Sequence, residues 1–409
     1  MKKRCFQSMH PTVPITEDAA LATRAGSTAR ARVIHVIHSG GFYGAEKVVR
    51  DLAREQAAGT GPQPVILALL DPGRATNELA DRAAAEGLPV LRLNVDRGFS
   101  VRSARAFAAA LSAAGASLVH SHGYKATLLH LVSRAARLHR LPLLVTAHGY
   151  PKSSGNLKAT FYRWIDILSL SFAEAVVAVS GEMRTYLARR NPVLSPVLIP
   201  NGIPAGLEAR GAHPLLARLA SEGVDPKDGV PVIGSAGRLV PMKNHALLIR
   251  AWAEVRKRIP CRLVILGEGP LRAELHALWR ELVPDEPVRL YDFQPDVLEW
   301  MADMDVFCLP SRDGEGLPIA LLEAGLLERA LVCSDSGGIP EVIRDRANGR
   351  LFPREDQGAL EAALEDLLRS PQDRAEYGRV LRREILRDHD IGVTHGRYQE
   401  AYARILLRA

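Results

Sequence analysis

Ile199-Pro200-Asn201-Gly202-Ile203-Pro204 is the stretch on which the fold turns. Two prolines beside an Asn-Gly pair interrupt any regular element that reaches them, so the segment reads as a break between two units. On its N-terminal side, short β-branched or apolar runs occur at 33–37, 65–70, 90–93, 118–120, 143–147 and 175–179. Most are followed by residues at helical spacing, as with Val49, Leu52 and Ala53. On its C-terminal side the alternation restarts, with runs at 232–236, 263–266, 288–291, 306–309 and 331–334. After the first of these, Leu247, Leu248, Ala251, Trp252 and Val255 make an amphipathic helical face. Strands alternating with helices imply βαβ units around parallel sheets. The expected fold is α/β, two units of similar size joined by a hinge. A ligand would then sit between them, outside the carboxyl ends of the strands.

Composition agrees with that size. The chain has 409 residues, 47% apolar and 24% charged, enough to bury two cores without disulfides or metals. Collagen, coiled coil and wholesale disorder are excluded. No apolar stretch approaches the ~20 residues of a membrane-spanning helix. The 53 Lys+Arg exceed the 46 Asp+Glu, for a net charge of +7. That balance suits nucleic acid, an acidic membrane surface or a phosphorylated ligand. Cys5, Cys261, Cys308 and Cys333 contain no CxxC pair, which fits a reducing compartment. Met1-Lys2-Lys3-Arg4 resembles the start of a secretion signal, but Pro11, Pro14, Glu17 and Asp18 stand where its apolar region should be. Residues 1–30 therefore read as a disordered extension of a cytoplasmic protein.

Glu315-Gly-Leu-Pro-Ile-Ala-Leu-Leu-Glu323 follows the strand run at 306–309. Pro318 suits the first helical position, so a helix is expected from 318 through Glu323 and Ala324. The free N–H groups of Ile319 and Ala320 would then form an anion site. Glu315 precedes that helix and Glu323 lies about two turns into it, placed to accept hydrogen bonds from vicinal hydroxyls. The same pair also fits a charge complementing the helix dipole plus a solvated Glu. Upstream, the run at 232–236 leads into Gly237-Arg238-Leu239-Val240-Pro241-Met242-Lys243-Asn244. Arg238 and Lys243 suggest a diphosphate clamp, Gly237 allows close approach of backbone, and Asn244 is expected to cap the next helix. Solvated loop cations are the plainer alternative. Gly267-Glu268-Gly269-Pro270 lacks the full dinucleotide fingerprint and reads as a close-approach turn, with Pro270 starting a helix. In the first half, Ser39-Gly40-Gly41-Phe42-Tyr43-Gly44 could turn backbone N–H groups toward a phosphate or sugar. His148 ends a strand and points to the same cleft. His120, His122 and His148 are separated by strand ends and have no acidic companion, so no metal is assigned.

Val197-Leu-Ile-Pro-Asn-Gly-Ile203, Gly237-Arg238-Leu239 with Lys243-Asn244, Glu315 to Glu323, and Gly337-Gly-Ile-Pro-Glu341 occur in this order. Together they resemble the retaining, nucleotide-sugar-dependent glycosyltransferases of family 4, over about residues 31–409. The resemblance implies the GT-B fold, two Rossmann-like domains across a cleft. It places an acceptor-side domain at 31–200, a nucleotide-sugar domain at 201–393, and a helix at 394–409 that crosses back to the first domain. By position, Arg238 and Lys243 would hold the donor diphosphate and stabilise the leaving group. Glu315 would contact sugar hydroxyls and Glu323 the ribose. His148 would lie beside the sugar, and Gly41 or Gly44 would bring backbone to the donor, with Gly237, Gly316, Ile319 and Ala320 completing its site. The implied reaction transfers a UDP- or GDP-linked sugar with retention, without metal or other cofactor; neither Glu is assigned as a nucleophile. Two departures bear on donor and base identity. Gly316-Leu317-Pro318 replaces the commoner Gly-Phe-Gly or Gly-Phe-Pro, and Tyr291-Asp292-Phe293 stands where a Gly is common.

Between Arg97 and Ile165 there are ten Lys/Arg and no Asp or Glu, interleaved with leucines. The resemblance gives this domain a glycan or polyprenyl-linked acceptor, so peripheral contact with an anionic inner-membrane face is expected. Two other readings stay open. A GT-B sugar-nucleotide epimerase or hydrolase would share the donor residues but need no acceptor. A basic nucleic-acid-binding protein fits the charge but has no recognition motif, so no nucleic-acid partner is expected.

Overall fold

Near-continuous apolar runs form the strands, because helices cover both faces of each sheet. Val33, Ile34, Val36 and Ile37 of the first strand are all buried. The computed structural model describes residues 30–96, 98, 100–149, 157–226 and 228–408. The expected extension therefore lies, up to residue 29, outside the described residues, as do Arg97 and Lys152 of the basic region.

The first sheet contains β1 (Arg32–His38), β2 (Gln63–Leu70), β3 (Val90–Asn94), β4 (Leu118–Ser121), β5 (Leu143–Ala147), β6 (Ala175–Ala178) and β7 (Val197–Leu198). Its order is β3-β2-β1-β4-β5-β6-β7. The second contains β8 (Val232–Ala236), β9 (Arg262–Leu266), β10 (Leu290–Tyr291), β11 (Val306–Leu309), β12 (Ala330–Ser334) and β13 (Arg350–Phe352). Its order, β10-β9-β8-β11-β12-β13, repeats the first arrangement. Every registered pair is parallel. The chain thus folds as two Rossmann-like domains, the GT-B architecture, and each order reverses beside its first strand, where ligands of such sheets bind.

Two strands escaped the sequence pattern. β7 has only two residues. β13 opens with Arg350, whose buried guanidinium is satisfied by Asp345 (Nε–Oδ1 2.8 Å) and Asp366.

Three local expectations need correction. Pro318 precedes its helix in an extended conformation (φ −65°, ψ 126°), and the helix runs Ile319–Leu326. Asn244 is left-handed (φ 52°) at the end of a 3-10 turn, Pro241–Lys243, so its side chain makes no cap bond to helix His245–Val255. Pro270 lies in a turn, and the helix after it begins at Arg272.

The last helix, Ile391–Leu406, begins three residues before the expected 394, where Asp390 accepts a hydrogen bond from the Gly392 N–H. Its Tyr398, Tyr402 and Ile405 pack with Val33, Leu52, Leu118 and Leu144 of the first domain. The two passages between domains are bonded to each other: Ile203 N–H donates to the His389 carbonyl at 2.9 Å, and Ile391 N–H to the Ile203 carbonyl at 2.9 Å. Among the described residues, no helix is long and apolar enough to cross a membrane.

Candidate active site

The carboxyl ends of β1 and β5 face those of β8, β9 and β11 across a cleft of about 860 Å³. From the first domain its lining includes Gly44, Lys47 and His148; from the second, Gly237, Arg238, Lys243, Glu315 and Glu323. Gly316, Ile319 and Ala320 also line it, whereas Gly41 does not. Gly41 lies in the turn beneath, where its N–H donates to Ser39 Oγ at 3.2 Å. A Cβ on Gly41 would reach 2.5 Å from the Tyr43 ring. Gly44 begins helix Gly44–Ala58 and faces Ile319, whose Cγ1 lies 3.7 Å from where a Cβ on Gly44 would stand.

Both singled-out carboxylates are buried and held by lysines. Lys243 Nζ lies 2.5 Å from Glu315 Oε1, which also accepts from Ser311 Oγ at 2.8 Å. Lys47 Nζ, from the first domain, lies 2.5 Å from Glu323 Oε1. Arg238 makes no ion pair among the described residues; its guanidinium stacks over the Tyr43 ring of the other domain, 5.4 Å from the centroid. The amides of Ile319 and Ala320 open the helix Ile319–Leu326 on the same wall. This wall therefore combines cations, free helix amides and oriented carboxylates, the groups that a phosphorylated polyol needs.

Glycines set how closely the walls approach. A Cβ on Gly267 would stand 2.0 Å from the Gly237 carbonyl oxygen, so the loops after β8 and β9 meet only without a side chain there. A Cβ on Gly316 would stand 2.2 Å from the His148 carbonyl oxygen of the opposite domain.

Sequence reasoning passed over several residues. Lys47 sits in the first turn after the glycine-rich segment, a signal that its spacing from Gly44 offered. Asn201 and Glu341 belonged to the motifs without a role. Asn201 Nδ2 donates to the Leu317 carbonyl at 2.8 Å. Glu341 Oε1 accepts from the Gly181 amide at 2.7 Å, across the domain boundary. Of the unusual Tyr291-Asp292-Phe293 segment, Phe293 lines the cleft. Tyr291 instead donates its hydroxyl to Glu222 Oε1 at 2.8 Å.

The histidines are closer than the strand-end argument expected. β4 and β5 are neighbours in register, so His122 Nδ1 lies 3.0 Å from His148 Nε2. Ring centroids of His120 and His122 are 4.0 Å apart. Burial lowers the His148 pKa to about 4, leaving the ring neutral at pH 7.

Residues 42–207 match the family described as Glycosyltransferase Family 4, and residues 220–383 match Glycosyl transferases group 1. A GDP-mannose-dependent alpha-(1-6)-phosphatidylinositol monomannoside mannosyltransferase of Mycolicibacterium smegmatis is 36% identical over 36% of this chain and 41% of its own. That match spans about two fifths of the relative. The alpha-maltose-1-phosphate synthase of Mycobacterium tuberculosis H37Rv is 31% identical over 68% of this chain and 76% of its own. Among solved structures, Anabaena Alr3699/HepE in complex with UDP and glucose superposes with a TM-score of 0.77. It is 18% identical, over 92% of this chain and 100% of that one. With the paired domains and cleft, these matches place the chain in glycosyltransferase family 4, with the GT-B fold.

Proposed function

We propose that the protein transfers a sugar from a UDP- or GDP-linked donor to a lipid-linked or polysaccharide acceptor, with retention and without a metal or other cofactor. One observation carries this reading. Arg238, Lys243 and the start of helix Ile319–Leu326 converge with two buried carboxylates in one interdomain cleft. Arg238, Lys243 and the Ile319 and Ala320 amides would take the diphosphate, stabilising negative charge as it develops on the leaving group. Glu315 would accept from sugar hydroxyls and Glu323 from the ribose. Gly237 and Gly44 would allow close approach of the donor on opposite walls, and His148 would lie beside the sugar. UDP bound to the Anabaena structure and GDP-mannose in the mannosyltransferase's name support both donor classes.

The acceptor would arrive at the first domain, at the cytoplasmic face of a membrane. Phe161, Trp164, Leu168 and Phe172 follow helical spacing, and all four are exposed. Arg134, on the neighbouring helix Tyr124–Ala135, donates to the Phe172 carbonyl at 2.6 Å. An aromatic face suits a lipid surface, and Arg134 beside it, which also pairs with Glu174 at 2.8 Å, adds a cation at its rim. Cosedimentation with phosphatidylglycerol vesicles should fall in Trp164→Asp; equal sedimentation of both proteins would remove the membrane from this reading.

Thermal unfolding with UDP, GDP, ADP and dTDP tests the donor site. A ligand at 100 times its Kd adds about 2.7 kcal/mol. One diphosphate should stabilise wild type and lose that effect in Glu323→Gln. Stabilisation that survives the substitution would separate Glu323 from the nucleotide.

A further inference from the structure

In the first domain, across the cleft from Arg238 and Lys243, one amide and three imidazoles stand in single file. Gln56 Oε1 lies 2.6 Å from His35 Nε2, His35 Nδ1 lies 3.1 Å from His122 Nε2, and His122 Nδ1 lies 3.0 Å from His148 Nε2. Adjacent strands β1, β4 and β5 bring the three rings together, and helix Gly44–Ala58 supplies Gln56. All four residues avoid solvent except His148, which lines the cleft. Burial lowers the pKa of His35 and His148 to about 4 and that of His122 well below its usual value. Each ring is therefore neutral at pH 7, with one N–H and one lone pair.

Neutral imidazoles in file share one direction, because each nitrogen pair needs one donor and one acceptor. The structure places Gln56 Oε1 toward His35 and leaves Gln56 Nε2 without a hydrogen-bond partner among the described residues. In that orientation the amide only accepts from His35, which sets the direction. His35 then donates from Nε2 and accepts at Nδ1, His122 repeats the pattern, and His148 donates from Nε2. Its Nδ1 is left with a lone pair. We propose that Gln56, acting through His35 and His122, is a positioning residue that fixes the His148 tautomer, so that His148 Nδ1 accepts a hydrogen bond from a donor-sugar hydroxyl in the cleft. The hydroxyl rests on the nucleotide-sugar reading above; the file itself does not.

His120 flanks the file but is separately anchored. Its Nδ1 lies 2.8 Å from Tyr402 Oη and its Nε2 2.7 Å from Thr146 Oγ1. Ring nitrogens of His35, His120 and His122 fall within 4.8 Å of one another, a spacing that a metal ion could use. Both nitrogens of each ring already have protein partners, however, so an ion would have to break those bonds.

The test uses the full chain labelled with 15N-histidine. Long-range 1H–15N correlations at pH 7.5 report each tautomer, and His148→Asn assigns the His148 signals. Wild type should show Nε2–H forms for His35, His122 and His148. Gln56→Glu, which keeps an acceptor, should preserve them, and Gln56→Met should give His148 a mixture. Thermal shifts with UDP against UDP-glucose, and GDP against GDP-mannose, then read the sugar contact. In Gln56→Met the apparent Kd of the stabilising nucleotide sugar should rise about tenfold, that of its bare diphosphate should stay within about twofold, and Gln56→Glu should behave as wild type. A His148 Nδ1–H form in wild type, an unchanged tautomer in Gln56→Met, or one bound zinc per chain would each overturn the proposal. If none of the four ligands stabilises wild type, the nucleotide-sugar reading falls and takes the hydroxyl with it. The spectra alone still accept or reject the tautomer file.

Discussion

Gly44 and Gly316 both sit on the cleft, yet adding a methyl to each should have opposite consequences. At Gly316 a Cβ would stand 2.2 Å from the His148 carbonyl oxygen and 2.6 Å from Val179 Cγ2. An ordinary contact is about 1 Å longer, so Gly316→Ala must push β5 and its loop away from the second domain. Overpacking of this kind costs about 1–3 kcal/mol. In a domain of this size that lowers Tm by roughly 5 °C. The same displacement should pull Lys47 from Glu323, which are joined across the boundary at 2.5 Å, and, by moving the Gly44 backbone away from the facing wall, should weaken any diphosphate-induced stabilisation. At Gly44 the added Cβ would meet Ile319 Cγ1 at 3.7 Å, an ordinary van der Waals distance. Gly44 is the first residue of its helix, and Ala there costs less conformational entropy, so Gly44→Ala should unfold at the same temperature or slightly higher. Its ligand-induced shift should nevertheless shrink, because a donor lying against the Gly44 backbone meets the methyl. Differential scanning fluorimetry with and without UDP and GDP reads all four quantities. The reasoning fails if Gly316→Ala matches wild type in Tm, or if Gly44→Ala keeps the full ligand shift.

Other consequences are more local. Lys243→Met leaves the Glu315 carboxylate buried with Ser311 as its remaining partner, which should cost about 3 kcal/mol in urea unfolding, and adding Glu315→Gln should recover part of the loss; strictly additive effects would contradict the pairing. Glu341→Ala removes the acceptor for the Gly181 and Glu182 amides and should cost about 1 kcal/mol, with an unchanged Tm counting against that cap. Acid sensitivity follows from burial, which lowers the pKa of His35 and His148 to about 4 and of His130 and His245 to about 3. The unfolded chain takes these protons near pH 6.5 and the folded chain only at lower pH. Stability should therefore be full above about pH 6.5 and decline from there toward pH 3, the slope easing below pH 4 as His35 and His148 take their protons. Each such ring contributes a slope of about 1.4 kcal/mol per pH unit, and His130→Leu should flatten the decline.

The fold was legible because parallel strands buried on both faces leave apolar runs with helical segments between them. The runs at 143–147, 232–236 and 306–309 coincide with β5, β8 and β11. What escaped depends on tertiary partners. β13 carries Arg350 on a strand because Asp345 and Asp366, from other segments, satisfy it. Asn244 fails as a side-chain cap because the turn before it ends in left-handed backbone. At the site, chemistry-bearing residues after strand ends could be gathered from sequence, since the topology brings those ends together. Their pairing could not. Lys47 meets Glu323 through the docking of two domains, and Gln56 meets His35 through a helix packed on a sheet; neither leaves a local pattern. The glycines divided likewise, since Gly41 and Gly44 share one turn but only Gly44 reaches the cleft.

The two lysine–carboxylate pairs constrain how a charged donor can be received. Lys243 is committed to Glu315 within the second domain, whereas Lys47 reaches Glu323 from the first. A diphosphate would bring negative charge toward a wall that already holds both carboxylates, and Lys243, whose ammonium has three N–H donors, could reach it while still holding Glu315 Oε1. Lys243 and Ser311 both donate to Glu315 Oε1, so Oε2 would remain for donors of another kind, the hydroxyls of a sugar. Glu323 Oε2 would likewise be left for ribose hydroxyls, but its Oε1 is held by Lys47 of the other domain, which would tie nucleotide binding in one domain to its contact with the other. Lys47→Met should then leave the Kd for a bare diphosphate within about threefold, while sugar transfer, which needs both walls, falls by at least tenfold. Isothermal titration with the stabilising diphosphate and a turnover assay separate the two effects. A parallel loss in both would make Lys47 a ligand for the nucleotide itself, and no loss in either would make its bond to Glu323 incidental to the reaction.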